Sequence, residues 1–296
     1  MIEKYYSGVI EQIYNRIGKE TRNIVMANYS NDFSIENLEV IRRYQSNEDN
    51  VFFAYSEFSY NTLVGAYEPF FDFICNMHRR FIGGSFDDFQ KECGVYYLHR
   101  QVLNSYYETG ECFREETVLL NEVAYEQRRM TMAIADMLKK LSEVKPLMIV
   151  INRFQMASKS SIETIKYLID NPCANIGIVL GVNAIVKGTD STVEVWDRIV
   201  ESLEDRSAIY YIGSAGPLKN NVKTTNDDEL YITMNFEQSI QEASNIMEFL
   251  DFEQARRGCR IIEHKLKFED AWIDEKSLRR FYMVYARTSV LLGERS

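Results

Sequence analysis

The feature that most constrains the fold is a set of five short runs of consecutive apolar residues, many of them β-branched or aromatic. The runs cover residues 24–27, 51–55, 147–151, 176–182 and 208–212. A strand that is apolar at consecutive positions is buried on both faces, as in a parallel sheet covered by helices. Segments with helical spacing alternate with these runs, and the alternation predicts an α/β fold with a parallel sheet.

The helical segments carry their own signals. Ser160 and Glu163 have the spacing of a capping box, so we expect a helix to start at Ser160. The region between the second and third runs, residues 69–144, is predicted to be helical and ends in one long helix over residues 115–144. Beyond residue 236 the spacing predicts helices alone, over residues 239–250, 252–266 and 275–292.

A polar, turn-rich stretch at residues 219–229 divides the chain. It predicts an α/β domain over residues 1–222 and an all-α region over residues 223–296. Antiparallel helices joined by short turns are the repeating unit of helical solenoids, and here the chain stops as such an array would be starting. We therefore expect either a fragment of a longer protein or a partner that covers the open end.

Composition excludes several classes of function. The net charge is −10 and no cluster of Lys and Arg occurs, which argues against direct nucleic-acid binding. The sequence has neither the apolar length of a membrane span nor the apolar centre of a signal peptide, so a cytoplasmic location is predicted. Three His and five Cys, without the spacing of a metal site, predict no bound metal.

A phosphate-binding loop would follow the first run, where the chain reads NIVMANYSNDFSIENL. Such a loop has the pattern GxxxxGK[ST], whose glycines let backbone N–H groups converge on phosphate. In the best register, Asp32 stands at the second glycine, Phe33 at the lysine and Ser34 at the hydroxyl residue, so Ser34 alone fits the pattern. A role for Ser34 as a helix N-cap explains it more simply.

The end of the third run should carry the acid that holds Mg²⁺. The chain has Asn152 and Arg153 there. An amide can hold a water molecule, but it lacks the charge that fixes Mg²⁺ and activates water. The sequence therefore indicates that nucleotide-hydrolysing chemistry has been lost.

At these positions the chain resembles STAND-type AAA ATPase domains. The stretch INRFQMASKSSIETIKYLI is similar to their Walker B segment, with matches at Gln155, Ala157 and Ser161. IGIVLGVNA resembles the family's sensor strand, with Asn183 where an arginine often stands, and AYEPFFDFI resembles the segment after the second strand. YARTSVLLGE is similar to the first helix of a tetratricopeptide repeat. The ATPase-like part extends to about residue 216.

The resemblance implies a P-loop NTPase-like sheet followed by tetratricopeptide-like helices, as in bacterial signalling proteins with a GGDEF diguanylate cyclase or a DNA-binding effector. We expect a pseudo-ATPase that regulates or scaffolds through a protein partner or a linked effector, with no cofactor; oligomers are possible. The relic of a nucleotide site would be Asn28, Asp32, Phe33, Ser34, Asn152, Arg153 and Asn183. Two alternatives stay open: a divergent ATPase switch that still binds ATP and Mg²⁺, and a domain that binds another small ligand in the same crevice.

Overall fold

A computed structural model describes residues 2–29, 38–46, 50–59, 63–114, 122–183, 199–203, 209–212, 235–268 and 273–293. Its strands are β1 (Ile24–Tyr29), β2 (Phe52–Glu57), β3 (Leu147–Asn152), β4 (Ile176–Asn183) and β5 (Ile209–Ile212). Each strand coincides with one of the predicted apolar runs, and every pairing between neighbouring strands is parallel. The predicted α/β fold with a parallel sheet is confirmed.

The helices whose two ends are described are α1 (Ile2–Arg16), α2 (Glu39–Ser46), α3 (Phe70–Met77), α4 (Phe86–Glu92), α5 (Tyr97–Thr109), α6 (Val123–Val144), α7 (Lys159–Asp170), α8 (Phe236–Glu248), α9 (Phe252–Phe268) and α10 (Glu275–Leu291). The helical region between β2 and β3 and the three helices after residue 236 match the prediction. The long helix α6 begins at Val123, later than predicted, and residues 115–121 lie outside the described part of the chain. The predicted domain boundary at residue 222 also lies outside it.

The strand order is β2-β3-β4-β1-β5. The connection from β1 to β2 steps one way across the sheet, whereas the later connections step the other way. Because crossovers between parallel strands are right-handed, the first connection lies on one face and the later ones on the opposite face. Connections therefore diverge between β1 and β4, and open α/β sheets bind ligands at the carboxyl ends of strands at such a point.

Helix α1 crosses one face of the sheet over β4, where two glycines give it room. A Cβ built on Gly177 would lie 2.8 Å from side-chain atoms of Ile17 and 2.9 Å from Ile13. A Cβ on Gly181 would overlap the hydroxyl of Tyr6 and lie 2.7 Å from Asn152 Oδ1. Because both separations are shorter than van der Waals contact, helix and strand can approach this closely only if these positions lack side chains.

The C-terminal helices share the hydrophobic core of the α/β part. Phe249, just after α8, meets Phe71 with 5.6 Å between ring centroids, Tyr106 at 5.6 Å and Tyr67 at 6.0 Å, each in an edge-to-face arrangement. Such pairs add stability beyond the burial of their surface. The helical region is therefore anchored to the α/β part by a ring that the other part surrounds.

Candidate functional site

The carboxyl edge of the sheet holds three of the predicted site residues on neighbouring strands. Asn28 is in β1, Asn183 ends β4 and Asn152 ends β3. In the pairing of β1 with β4, Asn28 lies opposite Val182. Asp32, Phe33 and Ser34 lie outside the described residues. The structure thus gathers amide residues at the divergence point of the sheet.

Asn152 is fully buried at this edge. Its Oδ1 lies over the α-carbon of Gly181, beside the hydroxyl of Tyr6, which is also fully buried. Neutral polar groups from β3 and α1 therefore lie against β4 at this edge of the sheet. An amide and a phenol can accept and donate hydrogen bonds, but they do not supply the negative charge that Mg²⁺ requires.

Arg153 faces away from β1. Its backbone is left-handed, with φ of 54°, and its Nη1 lies 2.8 Å from Glu57 Oε1 at the end of β2. The same nitrogen donates a hydrogen bond of 3.4 Å to the carbonyl of Phe58. Because β2 and β1 lie on opposite sides of β3 and β4, this pairing holds the guanidinium on the side of β3 that faces away from β1.

A second group of polar residues lies where the α/β part meets the C-terminal helices, and we call it the junction. Its first member corrects a prediction: the N-cap of α7 is Ser158, whose Oγ accepts from the N–H of Ser161, and not Ser160. Ser160 is already inside the helix, and its Oγ accepts a 3.0 Å hydrogen bond from the N–H of Tyr67. Burial raises the pKa of the Tyr67 hydroxyl, so this side chain is neutral.

Asp251 bonds to two helix N-termini at the junction. Its Oδ2 accepts from the N–H of Ser160 in α7 at 3.2 Å, and its Oδ1 accepts from the N–H of Gln254 in α9 at 3.3 Å. The first-turn N–H groups of a helix have no partner within the helix, and a carboxylate satisfies them well. Burial raises the pKa of Asp251, while these hydrogen bonds act in the opposite direction. One side chain therefore joins the two parts of the chain.

Two amide side chains extend the junction. Asn245 in α8 accepts a 2.9 Å hydrogen bond from the N–H of Cys112 and donates one of 3.1 Å to the carbonyl of Gly110. Gln254 Nε2 donates to the carbonyl of Val64 at 3.0 Å. Both amides bond to backbone that lies outside any helix or strand, so they satisfy groups that regular structure leaves free. The C-terminal helices thus fix two loops of the α/β part.

The junction contains a cavity of about 270 Å³. The walls carry the carboxylates of Glu68, Asp72 and Glu242, beside the rings of Phe71, Tyr106 and Phe249. Glu68 Oε2 accepts from the N–H of Gly65 at 2.7 Å. Burial raises the pKa of both Glu68 and Glu242 to about 7, and the charge of Glu68 adds to the effect on Glu242. These two carboxyl groups therefore change charge near neutral pH.

The substitution Glu242→Gln should stabilise the protein at pH 8 and have little effect at pH 5. A carboxyl whose pKa is raised on folding contributes stability that is complete below its unfolded pKa, near 4.5, and is lost as the pH rises through about 7. Glutamine stays neutral throughout. Allowing for partial solvent screening, we expect a gain of about 1–2 kcal/mol at pH 8, measured by urea unfolding.

Glu263→Gln in α9 is the matched control, because a hydrogen bond from Lys267 lowers the pKa of Glu263. This variant should be less stable than the wild type at pH 8. If Glu242→Gln lost stability on raising the pH from 5 to 8 as the wild type does, the carboxyl would not titrate in this range.

Sequence reasoning missed the junction residues Asp251, Asn245, Glu68 and Glu242. Asp251 and Gln254 have the spacing of a capping box. This pattern predicts one of the two bonds of Asp251, the one that it accepts from the N–H of Gln254. Among the described residues, no group of three or more His, Cys, Asp or Glu is placed to hold a metal ion. The helices described include none that combines the length and apolarity needed to cross a bilayer.

No protein-family model matches the chain. No curated protein matches it either.

Proposed function

We propose that this chain is a regulatory module of a bacterial signalling protein, a pseudo-ATPase that acts through contacts with a protein partner or a linked effector. The proposal rests on the resemblance to STAND-type domains and tetratricopeptide repeats. The observation that carries it is the carboxyl end of β3. Asn152 is buried against α1 there, and Arg153 is paired with Glu57 on the side away from β1.

The junction supports a regulatory role. A module that transmits a signal needs two parts whose stabilities depend on each other. Asn245 lies in α8, Gln254 lies in α9 and Asp251 lies between these two helices, and each bonds to the α/β part. A partner that shifts the C-terminal helices would therefore strain α7 and the loops before α3 and after α5.

Calorimetric titration with ATP and ADP, with and without Mg²⁺, tests the loss of nucleotide chemistry. We expect no heat of binding and no thermal shift at millimolar nucleotide. The absence of a shift is informative because a ligand at 100 times its Kd would stabilise the folded state by about 2.7 kcal/mol.

Binding that depends on Mg²⁺ would overturn the proposal and favour the divergent ATPase switch. In that case Asn152→Ala should weaken binding, whereas Asn171→Ala, at an exposed amide just after α7, should leave it unchanged. Nucleotide hydrolysis by the wild type would contradict the proposal equally.

A further inference from the structure

A second cavity, of about 300 Å³, lies in the C-terminal helices, where the end of α8 and the segment before α9 face α10. Leu250, Phe252 and Val290 contribute apolar walls. The polar groups at this cavity come from Arg114, Glu248 and Arg287. A mostly apolar cavity of this size with a few charged groups has the composition of a small-molecule site.

Arg114 is buried at this cavity with unused hydrogen-bond donors. Its side chain is 2% exposed. Nη2 donates to the carbonyl of Glu248 at 2.9 Å, and Nε lies 3.8 Å from Glu248 Oε2, too far for a hydrogen bond. Nε and Nη1 find no hydrogen-bond acceptor in the described part of the chain. Leaving buried donors of a charged group unsatisfied is costly, and the negative charge of a nearby anion would offset part of that cost.

The charges around Arg114 leave an excess of positive charge. Arg287 Nη1 donates to Glu248 Oε1 at 2.9 Å, so one carboxylate serves two guanidinium groups. Glu126, which also acts on the charge of Arg114, is already paired with Arg129 at 3.2 Å. Burial lowers the pKa of the neighbouring His99 to about 3, so the imidazole adds no charge near neutral pH. The two arginines against Glu248 give a net charge of one.

We propose that this cavity binds a small amphipathic monoanion, such as a medium-chain carboxylic acid. The carboxylate would bond to Arg287 and lie close to the buried guanidinium of Arg114, and the apolar body would lie against Leu250, Phe252 and Val290. The site lies where the C-terminal helices meet Arg114 of the α/β part and is separate from the sheet edge, so it goes beyond the proposed function. It gives the module a ligand that would stabilise the segment next to Asp251.

Titration of the whole chain with decanoate, decanol and decylamine tests both halves of the ligand. Decanoate should bind with one site per chain, and the neutral and cationic compounds of equal length should bind at least about ten-fold more weakly. Absence of decanoate binding would overturn the proposal. Equal affinity for the three compounds would do so as well, because the arginines would then make no contribution.

Two pairs of variants on α10 locate the site. Ala286 lines the cavity and is solvent-exposed, so Ala286→Trp should fill it and abolish binding. Met283→Trp, at a residue 63% exposed and outside the cavity lining, is its control and should bind normally. Arg287→Gln should weaken decanoate binding about ten-fold, whereas Arg279→Gln, on the same helix, should not. Binding that survives Ala286→Trp unchanged would overturn the assignment.

Discussion

Replacing Asp251 with alanine should destabilise the protein by about 3 kcal/mol, because it leaves two buried N–H groups without their side-chain acceptor. Those groups belong to Ser160 in α7 and Gln254 in α9. Removing the buried carboxylate also removes its desolvation cost, which keeps the loss below the sum of two unsatisfied donors. Asp251→Asn keeps one acceptor and should lose less. Urea unfolding of the three proteins at one pH measures the differences.

Asp274→Ala is the matched control for Asp251. Asp274 caps α10 in the same way, accepting from Lys276 and Ser277, but among the residues that the structure describes it bonds to that helix alone, and it is accessible to water. Water can replace the lost acceptor at this position, so its loss of stability should be much smaller. If the two alanine variants lost equal stability, the bond from Asp251 to α7 would contribute nothing.

Gly181→Ala should destabilise the protein by about 2–3 kcal/mol, the usual range for overpacking a tight core. The new methyl group would overlap the Tyr6 hydroxyl and approach Asn152 Oδ1 to 2.7 Å. Both neighbours are fully buried, so neither can move into solvent. Thermal and urea unfolding of the variant would measure the loss.

Removing one of the two neighbours provides the test of this mechanism. In a Tyr6→Phe background the hydroxyl is absent, and Gly181→Ala should then cost clearly less than in the wild type. This coupling between the two substitutions would appear in a double-mutant cycle. Purely additive effects would mean that the methyl group does not meet Tyr6. Gly8→Ala is a suitable control, since a Cβ there would meet no atom within 4 Å apart from its chain neighbours and the backbone of its own helix.

The sheet could be predicted from the sequence because its signal is local. Each strand contains a run of consecutive apolar residues, such as residues 147–151. The helices after residue 236 could be predicted for the same reason, because the spacing of their apolar residues is also a local signal. The order of the strands in the sheet could not be predicted, because it depends on which strands pair in the folded protein.

The start of α7 shows where prediction from the local sequence fails. Ser158, Ser160 and Ser161 are all good capping residues, and the Ser160–Glu163 spacing favours the wrong one. Ser158 takes the extended backbone of a cap, while Ser160 bonds to Tyr67 and Asp251 from distant parts of the chain. The local sequence leaves these serines nearly equal as N-cap candidates, and hydrogen bonds to distant parts of the chain determine which of them caps the helix.

The positions of the junction residues and of Arg114 could not be predicted for a related reason. Glu68 and Glu242 have no shared motif, and only the fold places both beside Gly65. Arg114 gives no signal in its own segment, because its burial depends on α8 and α10. The sequence does indicate that the end of β3 lacks an acidic residue, because it has Asn152 and Arg153 there.

Hydrogen exchange of Asp251→Ala, followed by mass spectrometry, tests most directly whether the junction couples the two parts. Exchange should accelerate both in α9 and in the first turn of α7, beyond the increase that a general loss of stability causes in β3 and β4. Asp274→Ala should change α10 alone. Acceleration of both α7 and α9 in Asp251→Ala is the result that this account predicts. Acceleration confined to α9 would contradict it, because the C-terminal helices would then move without affecting the α/β part.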